Sequence, residues 1–365
     1  MRRLRILTCV ALALAFITFV IKNRQPATIV PGRGLLVDKA WLKTNLHPLT
    51  PQKDVRSPDQ TFLTYPEWFL VFSPAEQADY FKTHTSTTFP YMKHIDQMWK
   101  GYDVVYDQLK SNYKFNTGYH IMILVIAGST TVEYSIKSLY ETVVGRVTNP
   151  PDGQAVTDED RFNAGYMNSY VKFIEDTPWY EYDFNSQLKS LWTNTSFFGP
   201  HFFRKMERKY YLTTELMVKS GYGWLIGLGT KSAYETALLN TAVITDKLPA
   251  DLNNFPEIKN IKKLPDGTIL MDLPRYARFN PTVNKLAQSG ISFKEIAGNN
   301  NAIMLTVLTT AQLANTADFK ILFRQPIQTK PGLSRIALVT TVGRLSGTVL
   351  SFYKSKVKIE HIYDY

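Results

Sequence analysis

Three cations at the start of a predicted helix are the residues in this sequence best placed to bind a ligand. His201 follows Gly199-Pro200 at the predicted helix start, and Arg204 and Arg208 lie one and two turns further on. Free backbone amides at a helix start, together with guanidinium groups, can bind a phosphate, a carboxylate or a lipid headgroup. The commoner arrangement is that such arginines pair with carboxylates of the protein itself, and then no ligand is needed. We predict an anion site at His201, Arg204 and Arg208, with this pairing as the alternative.

Glu133 is the candidate catalytic residue. It follows an apolar run, residues 121–127, and burial in such surroundings would raise the pKa of its carboxyl, as a general acid requires. The alternative is an exposed ladder, because Glu133, Lys137 and Glu141 recur every four residues. Ion pairs at this spacing contribute a few tenths of a kcal/mol each, and they are typical of a solvated helix face.

The triplet Asp158-Glu159-Asp160 has the Asp-x-Asp spacing that holds a metal ion and a nucleotide diphosphate in many glycosyltransferases. Acids in the first turn of a helix also complement the helix dipole, and a cap at Thr157 explains the same spacing. No predicted strand precedes the triplet, so we favour the cap and predict no metal site. The sequence contains no zinc-binding histidine motif, Walker loop or Gly-x-Gly-x-x-Gly motif, so no cofactor is predicted.

Most of the net charge of +11 lies near the N-terminus, where residues 1–44 contain eight Lys/Arg and one Asp. Here an apolar run at about residues 6–22 is flanked on both sides by Arg and Lys. The run is a little shorter than the roughly 20 residues of a typical spanning helix, but flanking cations can snorkel. We predict a cytoplasmic tail and single-pass anchor at residues 1–24, with a cleavable signal peptide as the alternative. The positive charge therefore indicates a lipid surface and not a nucleic acid.

Cys9 is the only cysteine, and it lies in the predicted anchor. Disulfides, thiolate metal sites and a cysteine nucleophile are therefore excluded from the rest of the chain. Large periplasmic domains of bacteria often lack disulfides, whereas secreted eukaryotic domains usually contain them. We therefore predict a bacterial inner-membrane protein whose bulk lies on the periplasmic side.

The elements that must position these residues follow in order after the anchor. Residues 25–60 contain five prolines and no sustained periodicity, which predicts an extended stem. Residues 61–245 are predicted to form a helical domain, beginning with two short helices at about 65–72 and 74–84. A central helix is predicted at 118–145, buried on all sides in its first half. The long helix from His201 is expected to pack through Met206, Tyr210, Met217, Gly221 and Trp224.

After a predicted linker at 246–265, residues 266–365 show an internal repeat with an offset of 66 residues. Each copy is predicted to be a strand, a helix and a strand: 268–273, 277–289 and 291–297, then 334–341, 343–354 and 356–364. Two such βαβ units predict a ferredoxin-like module with both units in one sheet, and further strands are predicted at 302–309 and 319–325. The predicted fold class is therefore α+β.

These features predict a single-pass membrane-anchored protein that acts as a binding or scaffold module at the membrane surface. Its expected partners are the bilayer, through the N-terminal helix, and an anionic ligand or lipid headgroup. The alternative is a membrane-anchored enzyme that acts on a lipid-linked or glycan substrate. A pocket joining Glu133 to His201 and Arg204 would favour the enzyme, whereas a flat aromatic or hydrophobic surface would favour the binding module.

Overall fold

The computed structural model describes residues 30–31, 41, 48–110, 112–233 and 239–363. Within these residues the chain has an α+β fold with eight α-helices and two antiparallel sheets. The helices are α1 (Gln60–Tyr80), α2 (Tyr91–Leu109), α3 (Thr117–Tyr140), α4 (Asp158–Ile174), α5 (Phe184–Asn194), α6 (Phe202–Ala233), α7 (Phe279–Gln288) and α8 (Val342–Lys354). The strands are β1 (Val30–Pro31), β2 (Asn240–Thr245), β3 (Lys259–Lys263), β4 (Ile269–Pro274), β5 (Phe293–Ile296), β6 (Ala302–Thr309), β7 (Lys320–Pro326), β8 (Ser334–Thr341) and β9 (Lys358–Ile362).

The C-terminal part of the chain contains the predicted repeat in a larger form. Strands β2 to β5 form a four-stranded sheet in the order β3-β4-β2-β5, and β6 to β9, with the two-residue β1 at the edge, form the other in the order β1-β7-β8-β6-β9. In each sheet the two strands of the predicted βαβ unit flank a central strand that is antiparallel to both. The expectation of one ferredoxin-like sheet is therefore wrong, because each copy brings its own central and edge strand and completes a separate sheet.

The added strands lie outside the predicted module. Strand β2 falls within the predicted helical domain, residues 61–245, and β3 falls within the predicted linker, residues 246–265. Strand β2 is the centre of its sheet, with β4 on one side and β5 on the other. The C-terminal unit therefore begins at about residue 240, and the segment 246–265 is part of its sheet.

One hydrophobic core joins the two sheets to α7 and α8. Helix α7 of the first copy contacts β9 in the sheet of the second copy, and helix α8 of the second copy contacts β5 in the sheet of the first. Each helix therefore packs in part on the sheet of the other copy. The opposite face of the β6–β9 sheet packs against α1, α2 and α3 through a second core that includes Phe62, Phe69 and Met98. This sheet is therefore covered on both faces, by α7 and α8 on one side and by the helical layer on the other.

Helix α1 replaces the two short helices predicted at 65–72 and 74–84. It continues through Pro66 and Pro74, although an internal proline removes a helix hydrogen bond and costs about 3 kcal/mol or more. Most of its side chains are buried, because it lies between the sheet and the outer helices. Tertiary burial therefore outweighs the two prolines, and Ser73, which directly precedes Pro74, makes tertiary hydrogen bonds.

The predicted anchor at residues 6–22 lies outside the described residues, among which no helix is long and apolar enough to cross a membrane. Most of the predicted stem at 25–60 also lies outside them. Its described parts contact the C-terminal unit: β1 pairs with β7, and the amides of Leu49 and Thr50 donate to the Glu295 carboxylate at 3.0 and 2.9 Å. These parts of the segment therefore lie against the folded body.

Phe293 and Lys294, neighbours on β5, provide a matched test of the shared core. Phe293 is fully buried among residues of both copies, so Phe293→Ala should lower the free energy of unfolding by about 3–5 kcal/mol. The exposed Lys294→Ala should change it by less than about 0.5 kcal/mol. Urea unfolding followed by tryptophan fluorescence measures both values, and equal effects would contradict the common core.

Candidate functional site: a buried ion-pair layer beneath an exposed apolar face

The predicted anion-site arginines lie on the buried side of α6 and bind carboxylates of the protein. Arg204 Nη2 donates to Asp160 Oδ1 at 2.9 Å, and its side chain is 2% exposed. Arg208 Nη1 donates to Glu141 Oε1 at 2.6 Å, Arg208 Nε donates to Glu207 Oε2 at 2.6 Å, and this side chain is 1% exposed. Both arginines therefore have the arrangement given as the alternative, because carboxylates of the protein bind their guanidinium groups.

His201 lies apart from this buried set. It is exposed, it directly precedes α6, and its carbonyl accepts the amide of Lys205 at 3.0 Å. Its φ of 61° is the left-handed conformation that non-glycine residues seldom adopt, and it completes the turn that starts at Gly199. His201 thus serves the turn into α6 and does not join the arginines in a shared anion pocket.

The acidic triplet at the start of α4 caps that helix and pairs with α6. Thr157 and Asp160 form a capping box, which confirms the predicted cap. Asp158 Oδ2 lies 3.0 Å from Lys205 Nζ, and its pKa is well below its usual range because Lys205, Ser196 and Arg161 hydrogen-bond to it. Hydrogen bonds and basic side chains therefore bind these carboxylates, for which the sequence also suggested a metal ion.

These groups form one layer between α3, α4 and α6, which we call the ion-pair layer. Glu159 is its most buried acid, with no exposed surface, and lies 3.3 Å from Lys205 Nζ and 3.4 Å from Lys209 Nζ. Isolated charges are costly to bury, and several mutually paired groups lower that cost. The ion-pair layer consists of Arg204, Lys205, Arg208 and Lys209 with Glu141, Asp158, Glu159, Asp160 and Glu207.

Glu133 belongs to a second group of alternating charges between α3 and α6. Its Oε1 lies 3.0 Å from Lys137 Nζ and 3.1 Å from Lys219 Nζ, and both lysines also contact Glu215. Burial alone would raise the pKa of Glu133, but Lys219 and Lys137 outweigh it and lower this pKa to about 2. Glu133 is therefore a fixed anion at neutral pH, which does not suit the predicted general acid.

The predicted exposed ladder of Glu133, Lys137 and Glu141 is also wrong. The Lys137 side chain is 8% exposed and that of Glu141 is 2% exposed. Burial lowers the pKa of Lys137, but Glu215 and Glu133 outweigh it and raise this pKa well above its usual value. The charged residues at this spacing therefore form ion pairs with α6 and do not form a solvated stripe along α3.

Because their charges point inward, α3 and α6 expose apolar side chains on the outside. Helices α3 and α6 run antiparallel, as the contacts of Glu133 with Lys219 and of Glu141 with Arg208 show. Apolar residues recur on the outward sides of both helices, each more than half exposed. We call this surface the apolar face: Ile121, Val125, Ile136 and Leu139 on α3, Val143 and Val147 on the helical turns Glu141–Gly145 and Arg146–Thr148 that follow it, and Phe203, Tyr210, Met217, Val218, Trp224 and Leu225 on α6.

The apolar face contradicts two predictions about which sides of α3 and α6 are buried. The first half of α3 is not buried on all sides, because Ile121 is 56% exposed and Val125 is 57% exposed. Tyr210, Met217 and Trp224, which were expected to pack inward from α6, are 60–68% exposed. The helix that their spacing predicts is present, but the side of α6 that faces the protein carries the basic residues.

A buried polar chain leads inward from α3 toward α1 and α2. The Tyr134 hydroxyl lies 2.8 Å from Ser73 Oγ, which lies 2.9 Å from His94 Nδ1. His94 Nε2 faces Glu76 Oε2 at 3.7 Å, too far for a hydrogen bond. Ser, His and Glu are the residue types of a hydrolase triad, but Ser73 is 1% exposed and its hydroxyl is held by Tyr134. The chain is therefore structural.

Comparison with known proteins found no matching family model, no matching characterised relative and no matching solved structure.

Replacing Arg208 tests the ion-pair layer. Arg208→Met leaves Glu141 buried without its strongest partner, so we expect a loss of about 3–5 kcal/mol in the free energy of unfolding. Arg161→Met is the matched control, because the Arg161 side chain is 62% exposed and its loss should cost less than ~1 kcal/mol. Phosphate should not stabilise the parent chain. Stabilisation by phosphate that is lost in Arg208→Met would restore the anion-site interpretation.

His94 should make stability depend on pH. Burial and the Arg335 guanidinium lower the pKa of His94 to about 3. The unfolded chain protonates this group below about pH 6.5, so the stability from neutral His94 is complete above pH 6.5 and is lost as the pH falls toward 3. Each pH unit in this window should lower the free energy of unfolding by up to about 1.4 kcal/mol through His94. In His94→Gln the slope between pH 6.5 and 5 should be smaller by that amount, and an unchanged slope would contradict it.

Proposed function

We propose that this protein is a single-pass membrane-anchored binding module whose helical domain lies on the bilayer through the apolar face. The apolar face is the observation that carries the proposal. Monomeric soluble proteins rarely expose contiguous apolar patches larger than a few hundred Å², and larger ones mark interaction surfaces. Removing about 400 Å² of such surface from water is worth ~10 kcal/mol. The apolar face therefore fits a surface that is covered when the protein works.

The bilayer is the occupant that the sequence and the residue types favour. The predicted anchor at residues 6–22 would keep the body beside a membrane, most simply on the periplasmic side. Tyr210 and Trp224 on α6 have the amphipathic rings that are enriched where membrane meets water. Two antiparallel helices form a broad apolar surface, and a single amphipathic helix already binds by burying its apolar side about 5–10 Å into the headgroup region.

The alternative function, an enzyme acting on a lipid-linked or glycan substrate, receives less support. A pocket that joins Glu133 to His201 and Arg204 would favour such an enzyme. In the described residues Glu133 is ion-paired, Arg204 is buried against Asp160, and His201 is exposed. Exposed apolar and aromatic side chains on α3 and α6 support the binding module instead.

Site-specific labels can test which surface meets the bilayer. With Cys9→Ser as background, Val143→Cys and Met217→Cys each place one fluorescent label on the apolar face. Tyr353→Cys is the control, because Tyr353 is 62% exposed on α8, beyond the sheet that separates α8 from the helical layer. In lipid nanodiscs that hold one full-length chain each, labels on the apolar face should be shielded from a water-soluble quencher and quenched by brominated lipid.

The control label should show the opposite pattern in the same nanodiscs. Because each disc holds one chain and, apart from the scaffold belt at its edge, no other protein, shielding does not come from a second copy or a protein partner. Equal quenching of all three labels by the water-soluble reagent would show that the apolar face does not rest on lipid.

A further inference from the structure

Four phenylalanines form an exposed cluster where the chain passes from α5 into α6, and we call residues 197–203 the aromatic turn. Phe198 is 72% exposed and Phe203 is 78% exposed, and Phe197 and Phe202 are also exposed. The ring centres of Phe197 and Phe198 lie 5.0 Å apart, and those of Phe198 and Phe202 lie 5.9 Å apart. Large apolar side chains that cluster on a surface in this way indicate contact with something outside the described chain.

The ion-pair layer holds the aromatic turn in a fixed shape. Lys209 Nζ donates to the carbonyls of Thr195 and Ser196 at 3.2 and 3.4 Å, and Ser196 Oγ donates to Asp158 Oδ2 at 2.8 Å. Gly199, between the two pairs of phenylalanines, has a φ of 134°, which glycine adopts without strain. Because the turn is already ordered, little conformational entropy is lost when its rings bind.

The surface around the aromatic turn exposes no acidic residue and no lysine or arginine. The structure describes every residue from 190 to 225, and no Asp, Glu, Lys or Arg in this segment is exposed. The charged side chains of the segment form ion pairs, and the most accessible of them, Lys219, is 13% exposed. Charged groups are costly in hydrocarbon, so an aromatic surface without them suits the acyl chains of a bilayer.

The types of aromatic residue along α6 indicate which part of it lies deepest. Tyrosine and tryptophan are enriched at the level of the headgroups, because each ring carries a polar group that stays hydrated, whereas a phenylalanine ring has none. Phe203 lies at the start of α6, and the exposed Tyr210, Tyr222 and Trp224 follow it along the helix. The phenylalanine end is therefore suited to the acyl chains, and the rest of the helix is suited to the headgroup region.

The segment that follows α3 adds apolar surface beside the aromatic turn. Arg204 Nη1 donates to the carbonyl of Gly145 at 3.4 Å, so this segment packs against the start of α6. Val143 and Val147 on either side of that contact are exposed. Arg146 is exposed between them, and its long side chain can extend back to a headgroup phosphate while its stem lies against apolar groups.

We propose that the aromatic turn inserts past the headgroups into the acyl chains of the bilayer, deeper than the rest of α6. Phe198 and Phe203 enter the hydrocarbon, and Arg146 binds a lipid phosphate above them. Insertion rests on the proposed function, because only a body that lies on lipid through the apolar face can place this turn among the acyl chains. The ligand of the turn is then the acyl region of the lipid, and the headgroup is the ligand of Arg146.

Depth-dependent quenching tests the insertion in nanodiscs that hold one full-length chain each. In the Cys9→Ser background, Phe198→Cys and Met217→Cys each carry one fluorescent label, and both positions are exposed on the same side of the protein. One set of discs contains lipid brominated near the middle of the acyl chain, and the other contains lipid brominated near the headgroup. The label at 198 should be quenched more by the deep bromines, and the label at 217 more by the shallow ones.

The possible results separate this proposal from the proposed function. If the two labels show the same ratio of deep to shallow quenching, the aromatic turn is not inserted deeper than α6, and only the insertion is wrong. If the label at 217 is quenched by lipid and the label at 198 only by a water-soluble reagent, the insertion is wrong in the same way. If neither label is quenched by brominated lipid, the proposed function fails as well.

A charge placed in the turn tests the role of Phe198 directly. With the label at Phe203→Cys, Phe198→Asp should lower the ratio of inserted to non-inserted turns on the order of 100-fold, because a carboxylate is costly in hydrocarbon. The ratio of deep to shallow quenching should then fall to the value at Met217→Cys. Phe198 is 72% exposed, so the melting temperature should not change. Tyr353→Asp on α8 is the matched control and should leave the quenching ratio as it is, whereas an unchanged ratio in Phe198→Asp would overturn the insertion.

Discussion

The ion-pair layer is the interaction on which the arrangement of the helical domain depends. A charge such as Glu159, with no exposed surface, is tolerable only while its lysine partners stay within a few ångströms, so α6 can take one register against α4. The same register places Glu141, which directly follows α3, against Arg208. With charges directed inward, the apolar sides of α3 and α6 face outward. This is the reverse of the usual soluble helix, and it leaves an apolar surface that the described chain does not cover.

Much of the secondary structure could be predicted because it is encoded locally. The predicted strand at 302–309 matches β6. The apolar residues of α2, from Tyr91 to Leu109, also recur at helical spacing in the sequence itself. The repeat was visible because both copies have the same apolar pattern. The full extent of the repeat was not visible, since β2 and β3 are separated from β4 by proline-containing segments that resemble a linker. Strand pairing is a long-range property, and local pattern does not show that β2 is the centre of a sheet.

The candidate site was less predictable, because its defining contacts join residues far apart in the chain. The sequence identified Arg204, Arg208 and Glu133 as unusual, and all three do lie in charged clusters. It did not show that their partners would be protein groups, since Glu141 is 67 residues from Arg208. The prediction of which side of α6 is buried was wrong for a related reason. Apolar periodicity identifies an apolar helix face, but it does not show whether the protein itself or something outside it covers that face.

Helix α1 connects the helical layer to the C-terminal unit, and its burial between them keeps it one helix despite two prolines. Ser73 lies 2.8 Å from the Tyr134 hydroxyl of α3, beneath the apolar face. One turn further on, Glu76 accepts from Arg335 of β8. Two separate short helices could be displaced independently, whereas a continuous helix fixes both contacts relative to each other. The Arg335–Glu76 pair therefore also holds the helical layer in register with the β6–β9 sheet.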